Sequence, residues 1–201
     1  MPEIKQDLRS ATMIVAADNS LHKNMANYVC AGTADDVQIN EALNALPAAG
    51  GRVILLEGTF NCTANLIIPA AVTLEGQSYN TVLSFAGDAI TNALTINGDG
   101  VNIKNLIAIL AAGAGIPTAR PNVIYNNSYD HILLENLFVY GDESVGDDGS
   151  NLRQCGILFV DGAYSKIINC YTADNDRHGI HLNNTTNCIV EGNHSRSNGQ
   201  V

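Results

Sequence analysis

The sequence predicts an all-β fold, a parallel β-solenoid closed at its N-terminal end by a capping α-helix. Three observations predict it. Six short segments share one pattern, an aliphatic residue, then a polar one, then a small or turn-forming one: Leu56-Glu57-Gly58, Leu74-Glu75-Gly76, Ile103-Lys104-Asn105, Leu134-Glu135-Asn136, Ile168-Asn169-Cys170 and Val190-Glu191-Gly192. They recur at irregular intervals of roughly 20–35 residues, the length of one coil with variable loops rather than of a helix pair. From Arg52 onward the apolar pattern is that of short strands separated by Gly, Asn and Asp turns. Before Arg52 there is a single stretch with helical spacing, where an end cap is needed to cover the apolar cross-section of the first coil.

Residues 11–17 read as an opening strand, and Asp18 to Asn27 as a loop. The cap helix is expected over 33–46. Thr33 is placed to be its N-cap, Asp36 completes a capping box three residues on, and both Asp35 and Asp36 sit on the positive end of the dipole. Ile39, Leu43 and Leu46 form its apolar stripe, and Pro47 with Gly50 and Gly51 stops it. The expected organisation is one domain over 1–201, with strand and cap in 1–50 and about six coils in 51–201. The last two coils align Cys155-Gly156-Ile157-Leu158-Phe159 with His178-Gly179-Ile180-His181-Leu182, and Lys166-Ile167-Ile168-Asn169 with Cys188-Ile189-Val190-Glu191. At about 4.8 Å per coil, such a rod is roughly 25–30 Å long. The sequence stops at Val201 without a capping helix. The expectation is a fragment, or an end covered by a partner subunit in a homo-oligomer or by a further C-terminal domain.

The chain has 201 residues, 46% of them hydrophobic, enough for one sizeable core. Ten basic against twenty acidic residues give a formal charge of −10, which opposes nucleic acid as a partner. The same charge opposes an acidic glycan unless a divalent cation or a local arginine cluster bridges the two. The start carries charges at Glu3, Lys5, Asp7 and Arg9, and the apolar stretch Met13 to Ala17 is too short for a signal peptide or a membrane span. The five cysteines, Cys30, Cys62, Cys155, Cys170 and Cys188, lack metal-site spacing. They read as small core residues, with a Cys30 to Cys62 bridge at the cap as the alternative.

From Gly32 to Phe60 the sequence resembles the N-terminal entry of the pectate-lyase-like right-handed parallel β-helix superfamily. The residues that carry the resemblance are Asp35 and Asp36, Ile39 with Ala42 and Leu43, Gly50 and Gly51, and Gly58-Thr59-Phe60. The resemblance implies a right-handed parallel β-helix. It also implies one of that superfamily's roles: polysaccharide lyase or glycoside hydrolase, tailspike-type protein, or non-catalytic surface protein. It assigns the paired aspartates to the cap rather than to catalysis. The string Asn175-Asp176-Arg177-His178-Gly179 also resembles a segment of alginate epimerase β-helices, but the Tyr and Asp-Pro-His signature of those enzymes is absent, as are the polygalacturonase motifs.

Glycan cleavage needs an acid, a base and often a cation against the sugar carboxylate. Asp174, Asp176, Arg177 and His181 are the candidate catalytic residues, and His194, Arg196, Tyr171 and Tyr140 the candidate substrate-binding ones. Tyr125 and Tyr164 are further rings available for sugar contact. Strand alternation turns Ile180 and Leu182 inward and His181 outward. Surplus loop falls at 111–122 and 141–154, and the second excursion holds Asp142, Glu143, Asp147, Asp148 and Arg153. Asp142, Asp147 and Asp148 are hard oxygen ligands of the type that binds Ca²⁺, with a solvated acidic loop as the alternative. Glu57, Glu75, Lys104, Glu135 and Glu191 are expected to form one outward row. Five Asn-x-Ser/Thr sites, at Asn61, Asn126, Asn183, Asn184 and Asn193, read as coil corners, where asparagine tolerates left-handed backbone. The expected function is a polysaccharide-engaging β-helix acting extracellularly or on a virion, which cleaves an acidic glycan by lyase or hydrolase chemistry. The alternative is a non-catalytic structural or adhesive module.

Overall fold

A computed structural model describes residues 11–87, 90–111, 121–142 and 154–199. The chain opens with β1 (Thr12–Ala16), β2 (Tyr28–Val29) and α1 (Asp36–Asn44). Six coils follow among the described residues. The first is β3 (Gly51–Leu55), β4 (Gly58–Cys62) and β5 (Leu66–Pro69); the second is β6 (Val72–Gly76), β7 (Thr81–Phe85) and β8 (Asn92–Asn97). In the third and fourth coils one long strand covers two faces: β9 (Asn102–Leu110) with β10 (Asn122–Asn127), then β11 (Leu133–Tyr140) with β12 (Ile157–Val160). The fifth is β13 (Lys166–Ile168), β14 (Tyr171–Ala173) and β15 (Ile180–Asn183), and the last is β16 (Ile189–Glu191) and β17 (His194–Arg196).

Every coil-to-coil pairing is parallel. The first face runs β1, β3, β6, β9, β11, β13, β16; the second β4, β7, β9, β11, β14, β17; the third β5, β8, β10, β12, β15. The architecture is a right-handed parallel β-helix with an N-terminal capping helix, as the sequence predicts. Inward positions stack by identity of environment: Val53, Leu74, Ile103, Leu134 and Ile167 pair in sequence along the first face, each at most 1% exposed. Fully burying one such side chain contributes about 1.5–3 kcal/mol, so the row is a large part of what holds neighbouring coils together.

The coil phase is set at the corners. Asn105, Asn136 and Asn169 turn from the first face to the second with φ of 56°, 54° and 53°, and Gly192 does so at 67°. Asparagine and glycine are the residues that reach this left-handed region at least cost. This corner corrects the predicted repeat at two places. Ile167, not Ile168, stacks between Leu134 and Val190, because Asn169 takes the corner that Asn136 takes one coil earlier. The same one-residue shift pairs Lys166 with Ile189 rather than with Cys188. In the first coil Val53 and Ile54, not Leu56 and Glu57, lie against Leu74 and Glu75. The outward charged row therefore holds Glu75, Lys104 and Glu135, then Ile168 and Glu191. Lys104 bridges to Glu135 at 3.2 Å, and Arg52 pairs with Glu75. Of the five sequon asparagines, Asn184 adopts a left-handed corner.

The cap also differs from its predicted chemistry. Asp35 stands at the helix N-cap but makes no capping hydrogen bond, and Thr33 is exposed. Instead the Asp35 carboxylate accepts from the Gly32 N–H at 2.9 Å and the Asn61 N–H at 2.8 Å, and Asp36 accepts from the Thr63 N–H at 2.7 Å. The paired aspartates thus fasten the cap to the first coil, across more than twenty residues of chain, rather than start the helix. Gly50, with φ of 92°, allows the tight return into β3: a Cβ there would lie 2.2 Å from the Ala71 carbonyl oxygen. All five cysteines are free thiols, so the Cys30 to Cys62 bridge is not formed. Ile189 and Val190 in the last described coil are 45% and 46% exposed. Among the described residues no helix is long and apolar enough to cross a membrane.

Glu57 leaves the predicted row because it anchors the N-terminal loop. Its carboxylate accepts from the Leu21 N–H at 2.8 Å, the Ser20 hydroxyl at 3.0 Å and His22 Nδ1 at 2.9 Å. The His22 contact, reinforced by the Leu21 and Ser20 donors, holds the Glu57 carboxyl down at about 2.

Two outcomes follow for stability. Asp35→Ala orphans two backbone donors and is expected to cost about 2–3 kcal/mol in urea unfolding, whereas Thr33→Ala changes stability by less than about 0.5 kcal/mol. A Thr33 effect as large as that of Asp35 would restore the capping-box account. A depressed carboxyl contributes stability above its unfolded value that is lost as pH falls through its folded one. As pH falls from about 4 to about 1 the Leu21 amide resonance should therefore move as Glu57 protonates, with a midpoint near 2 rather than in the ordinary carboxylate range.

Candidate functional site

The outer face of the second sheet carries the densest group of predicted site residues. Counting two positions past each corner gives Ile107, Phe138, Tyr171 and His194, and these are in mutual register, with Val82 before them. Strand alternation points them outward while Ala108, Val139 and Thr172 point in. Their rings form a ladder. Phe138 and Tyr171 are 5.3 Å apart at 22°, and Tyr171 and His194 are 5.3 Å apart at 1°. Tyr140 leans on Tyr171 at 5.8 Å, and Tyr79 meets Phe138 edge-on at 4.5 Å and 79°.

A neighbouring row on the same face runs Ser84, Ile109, Tyr140, Ala173 and Arg196. Burial pushes the Tyr140 hydroxyl up, and the nearby Tyr171 and Asp174 act in the same direction while Arg196 opposes them. The Tyr140 phenol therefore stays protonated at neutral pH and serves as a hydrogen-bond donor. Asp174 occupies the next corner with φ of 57°, its N–H donating to the Ser197 carbonyl at 3.0 Å. Five predicted residues, Tyr140, Tyr171, Asp174, His194 and Arg196, thus belong to one surface.

Of the other predicted catalytic residues, Asp176 and Arg177 belong to the turn into the third sheet and His181 to that sheet itself. Asn175 is fully buried there and donates to the Ala173 carbonyl and to Asn198 Oδ1. Beyond it, the Arg177 N–H donates to the Gln154 carbonyl at 2.9 Å, and the His178 and His181 rings meet edge-on at 4.8 Å. His181 lies in β15 beside Leu158, as predicted, with Nδ1 4.0 Å from Cys155 Sγ. Burial, aided by the Arg177 charge, pushes the His181 imidazole down, so it is neutral at physiological pH. Burial pushes the Cys155 thiol up, with Asp176 adding to the shift and Arg177 opposing it. Asp176 and Arg177 therefore bear on this corner. A cavity of about 370 Å³ touches both groups, lined by His178, Gly179, Ile180, Ser195, Arg196, Ser197 and Asn198.

Asp142 is buried, and its N–H donates to Gln154 Oε1 at 2.8 Å. Asp147 and Asp148 lie outside the described residues, as do Glu143, Arg153 and most of both predicted long loops. Among the described residues no cluster of His, Cys, Asp and Glu could hold a metal ion. Tyr125 points out of the third sheet in register with Leu158, and Tyr164 stacks on His131 at 5.4 Å; neither joins the ladder. Sequence reasoning missed Phe138 and Tyr79. Phe138 was readable, two positions after its corner asparagine as Tyr171 is after Asn169, whereas nothing in the sequence marks Tyr79.

The sequence matches no family model and no curated protein. Among solved structures, the A-module of the mannuronan C-5 epimerase AlgE6 from Azotobacter vinelandii is similar at 18% identity and a TM-score of 0.57, covering 84% of this chain and 54% of that one. The ORF18 protein of Geobacillus virus E2 is similar at 16% identity and a TM-score of 0.55, covering 82% and 38%. The chain therefore spans less than two thirds of either structure. At these identities the likeness establishes the fold alone, a right-handed parallel β-helix.

Thiol chemistry offers a check on this region. Burial pushes Cys30 up to about 12 and Cys170 up to about 11, and holds Cys62 and Cys155 above the ordinary thiol range. Under native conditions at neutral pH, Cys188 should react first with a thiol reagent, and the other four only on unfolding. Fast labelling of Cys155 would show that its contact with His181 yields a thiolate.

Proposed function

We propose that this chain engages a polysaccharide along the outer face of its second sheet, with the ring ladder and its polar tips as the binding surface. The observation that carries the reading is the register of Phe138, Tyr171 and His194, flanked by Tyr140, Asp174 and Arg196. Ladder rings spend their faces on one another, so what they offer outward is edges: the hydroxyls of Tyr140 and Tyr171, the imidazole of His194 and the guanidinium of Arg196. A row of donors and acceptors repeating at coil spacing, about 4.8 Å, suits the hydroxyls and carboxylates of a polymer laid along the rod.

The chain's charge of −10 opposes an anionic glycan in general, yet Arg196 places a guanidinium at one end of this surface. An acidic polysaccharide is therefore the preferred ligand class. Retaining hydrolysis needs two carboxyl groups about 5–5.5 Å apart. Tyr, His and Arg beside Asp174 suit β-elimination better: a guanidinium neutralises the sugar carboxylate while a base removes the proton from the carbon next to it. The glycosidic C–O bond at the following carbon breaks to leave a C=C double bond, with a phenol such as Tyr140 giving its proton to the leaving oxygen. Lyase chemistry is thus the preferred catalytic form of the reading. Ca²⁺ at Asp142, Asp147 and Asp148 is kept as a proposed accessory to it. An extracellular or virion-surface location accompanies the reading, supported by the likeness to a phage protein.

A second reading, a non-catalytic adhesive or structural module, is favoured by the separation of His181, Asp176 and Arg177 from the ladder. One experiment divides the two. A panel of oligouronates and neutral oligosaccharides, with and without Ca²⁺, is titrated by calorimetry and then assayed for unsaturated ends. Binding of an oligouronate, weakened about tenfold in Arg196→Ala, is the expected result. Unsaturated product supports the lyase, binding without product supports the adhesive module, and no binding across the panel overturns the polysaccharide reading.

A further inference from the structure

We infer that Tyr79, on the short turn between the first and second faces of the second coil, is the sugar-stacking platform of the proposed glycan surface. The inference rests on that reading and adds the residue that would orient a bound sugar ring. Aromatic recognition of a pyranose uses the face of the ring, where the apolar C–H groups of the sugar can lie flat. The ladder residues cannot supply that face along their length. Tyr171 is covered on one side by Phe138 and on the other by His194, both nearly parallel to it.

Tyr79 is built differently. It sits in the 3₁₀ turn Ser78–Asn80, entered at Ser78 with φ of 60°. The turn packs against β9, so the side chain reaches across the third coil, whose outward residue at this row is Ile107, to touch Phe138 in the fourth. The two rings are 4.5 Å apart and 79° from parallel. Whichever ring contributes the edge, at least one face of Tyr79 is turned away from Phe138. The residue is 54% exposed.

Tyr164, the other tyrosine more than half exposed among the described residues, spends a face on His131 at 17° and stands at a different corner of the coil. Tyr79 is thus the tyrosine that combines an open face with a place on the ladder surface. From it to His194 the surface crosses the fourth, fifth and sixth coils, roughly 14 Å at about 4.8 Å per coil, room for about three pyranose rings. A sugar resting on Tyr79 would have its neighbours over the polar tips of Tyr140 and Tyr171, and a carboxylate within the field of Arg196.

The test is calorimetric titration of wild type, Tyr79→Ala, Tyr79→Phe and Tyr164→Ala with the same oligouronate and neutral oligosaccharide panel. Thermal unfolding of each variant is run as a fold control. Tyr79→Ala is expected to raise Kd about tenfold at unchanged Tm, Tyr79→Phe to stay within about twofold, and Tyr164→Ala to match wild type. The sugar C–H proton resonances should shift upfield on binding to wild type and to Tyr79→Phe, but not to Tyr79→Ala, a ring-current signature that a merely structural role would not produce. Oligosaccharide binding that is lost in Arg196→Ala yet unaltered in Tyr79→Ala overturns this inference and leaves the polysaccharide reading standing. No binding by the wild-type chain to any member of the panel overturns both.

Discussion

The structure depends on one constraint, the phase in which each coil lies on the one before it. Parallel strands tie that phase through backbone hydrogen bonds along three faces, but a one-residue slip would turn every inward side chain out. What pins it is the left-handed corner repeated at Asn105, Asn136, Asn169 and Gly192. Asn136 Nδ2 donates to Asn105 Oδ1 at 3.1 Å, and Asn105 donates in turn to Glu75, so the corners are bonded to one another as well as shaped alike. Two residues beyond this row lies the ring ladder, and one and three beyond it lie inward core positions such as Leu137 and Val139.

The interior changes character along the axis. In the second sheet the inward row runs Leu83, Ala108 and Val139, then Thr172 and Ser195. The Thr172 hydroxyl donates to the Ser195 Oγ at 3.1 Å, Asn198 Nδ2 donates to the same oxygen, and Asn193 Nδ2 donates to the Ile167 carbonyl. Thr172 is fully buried, and partnered in this way its hydroxyl costs little, whereas unpartnered it would cost about 1–3 kcal/mol. The last two described coils are thus held by hydrogen-bonded side chains as much as by aliphatic packing. They are also the coils whose His178, Ser195 and Arg196 line a common cavity.

Much of the fold was legible in the sequence because strand periodicity, corner residues and the cap pattern are local signals. The cap helix, the six coils and the pairing of Ile157 with Ile180 follow from them directly. The repeat was misplaced by one residue at Ile168 and by three at Leu56 because aliphatic-polar-small triplets are common in strands, while the left-handed asparagine is specific to the corner. The function of Asp35 and Asp36 was misread for a related reason. A capping box is a local explanation, and the true partners, Asn61 and Thr63, are close only after the first coil has closed. The candidate site was half legible. Tyr140, Tyr171, His194 and Arg196 lay in plain view as residue types, but His181 and Asp176 are near them in sequence and part company at a corner. Tyr79 depends on the reach of a side chain across a coil, which no spacing encodes.

The ladder is where register, corner geometry and the proposed binding surface meet, so its geometry is the most direct test of the whole. Aromatic proton nuclear Overhauser effects from Tyr171 measure it in solution. Cross-peaks from the Tyr171 ring to both Phe138 and His194, at rings 5.3 Å away on either side, are the expected result. A Tyr171 ring in contact only with residues near it in sequence, or with Phe138 and His194 replaced by partners one position along, would contradict the coil phase and with it the surface on which the functional reading stands.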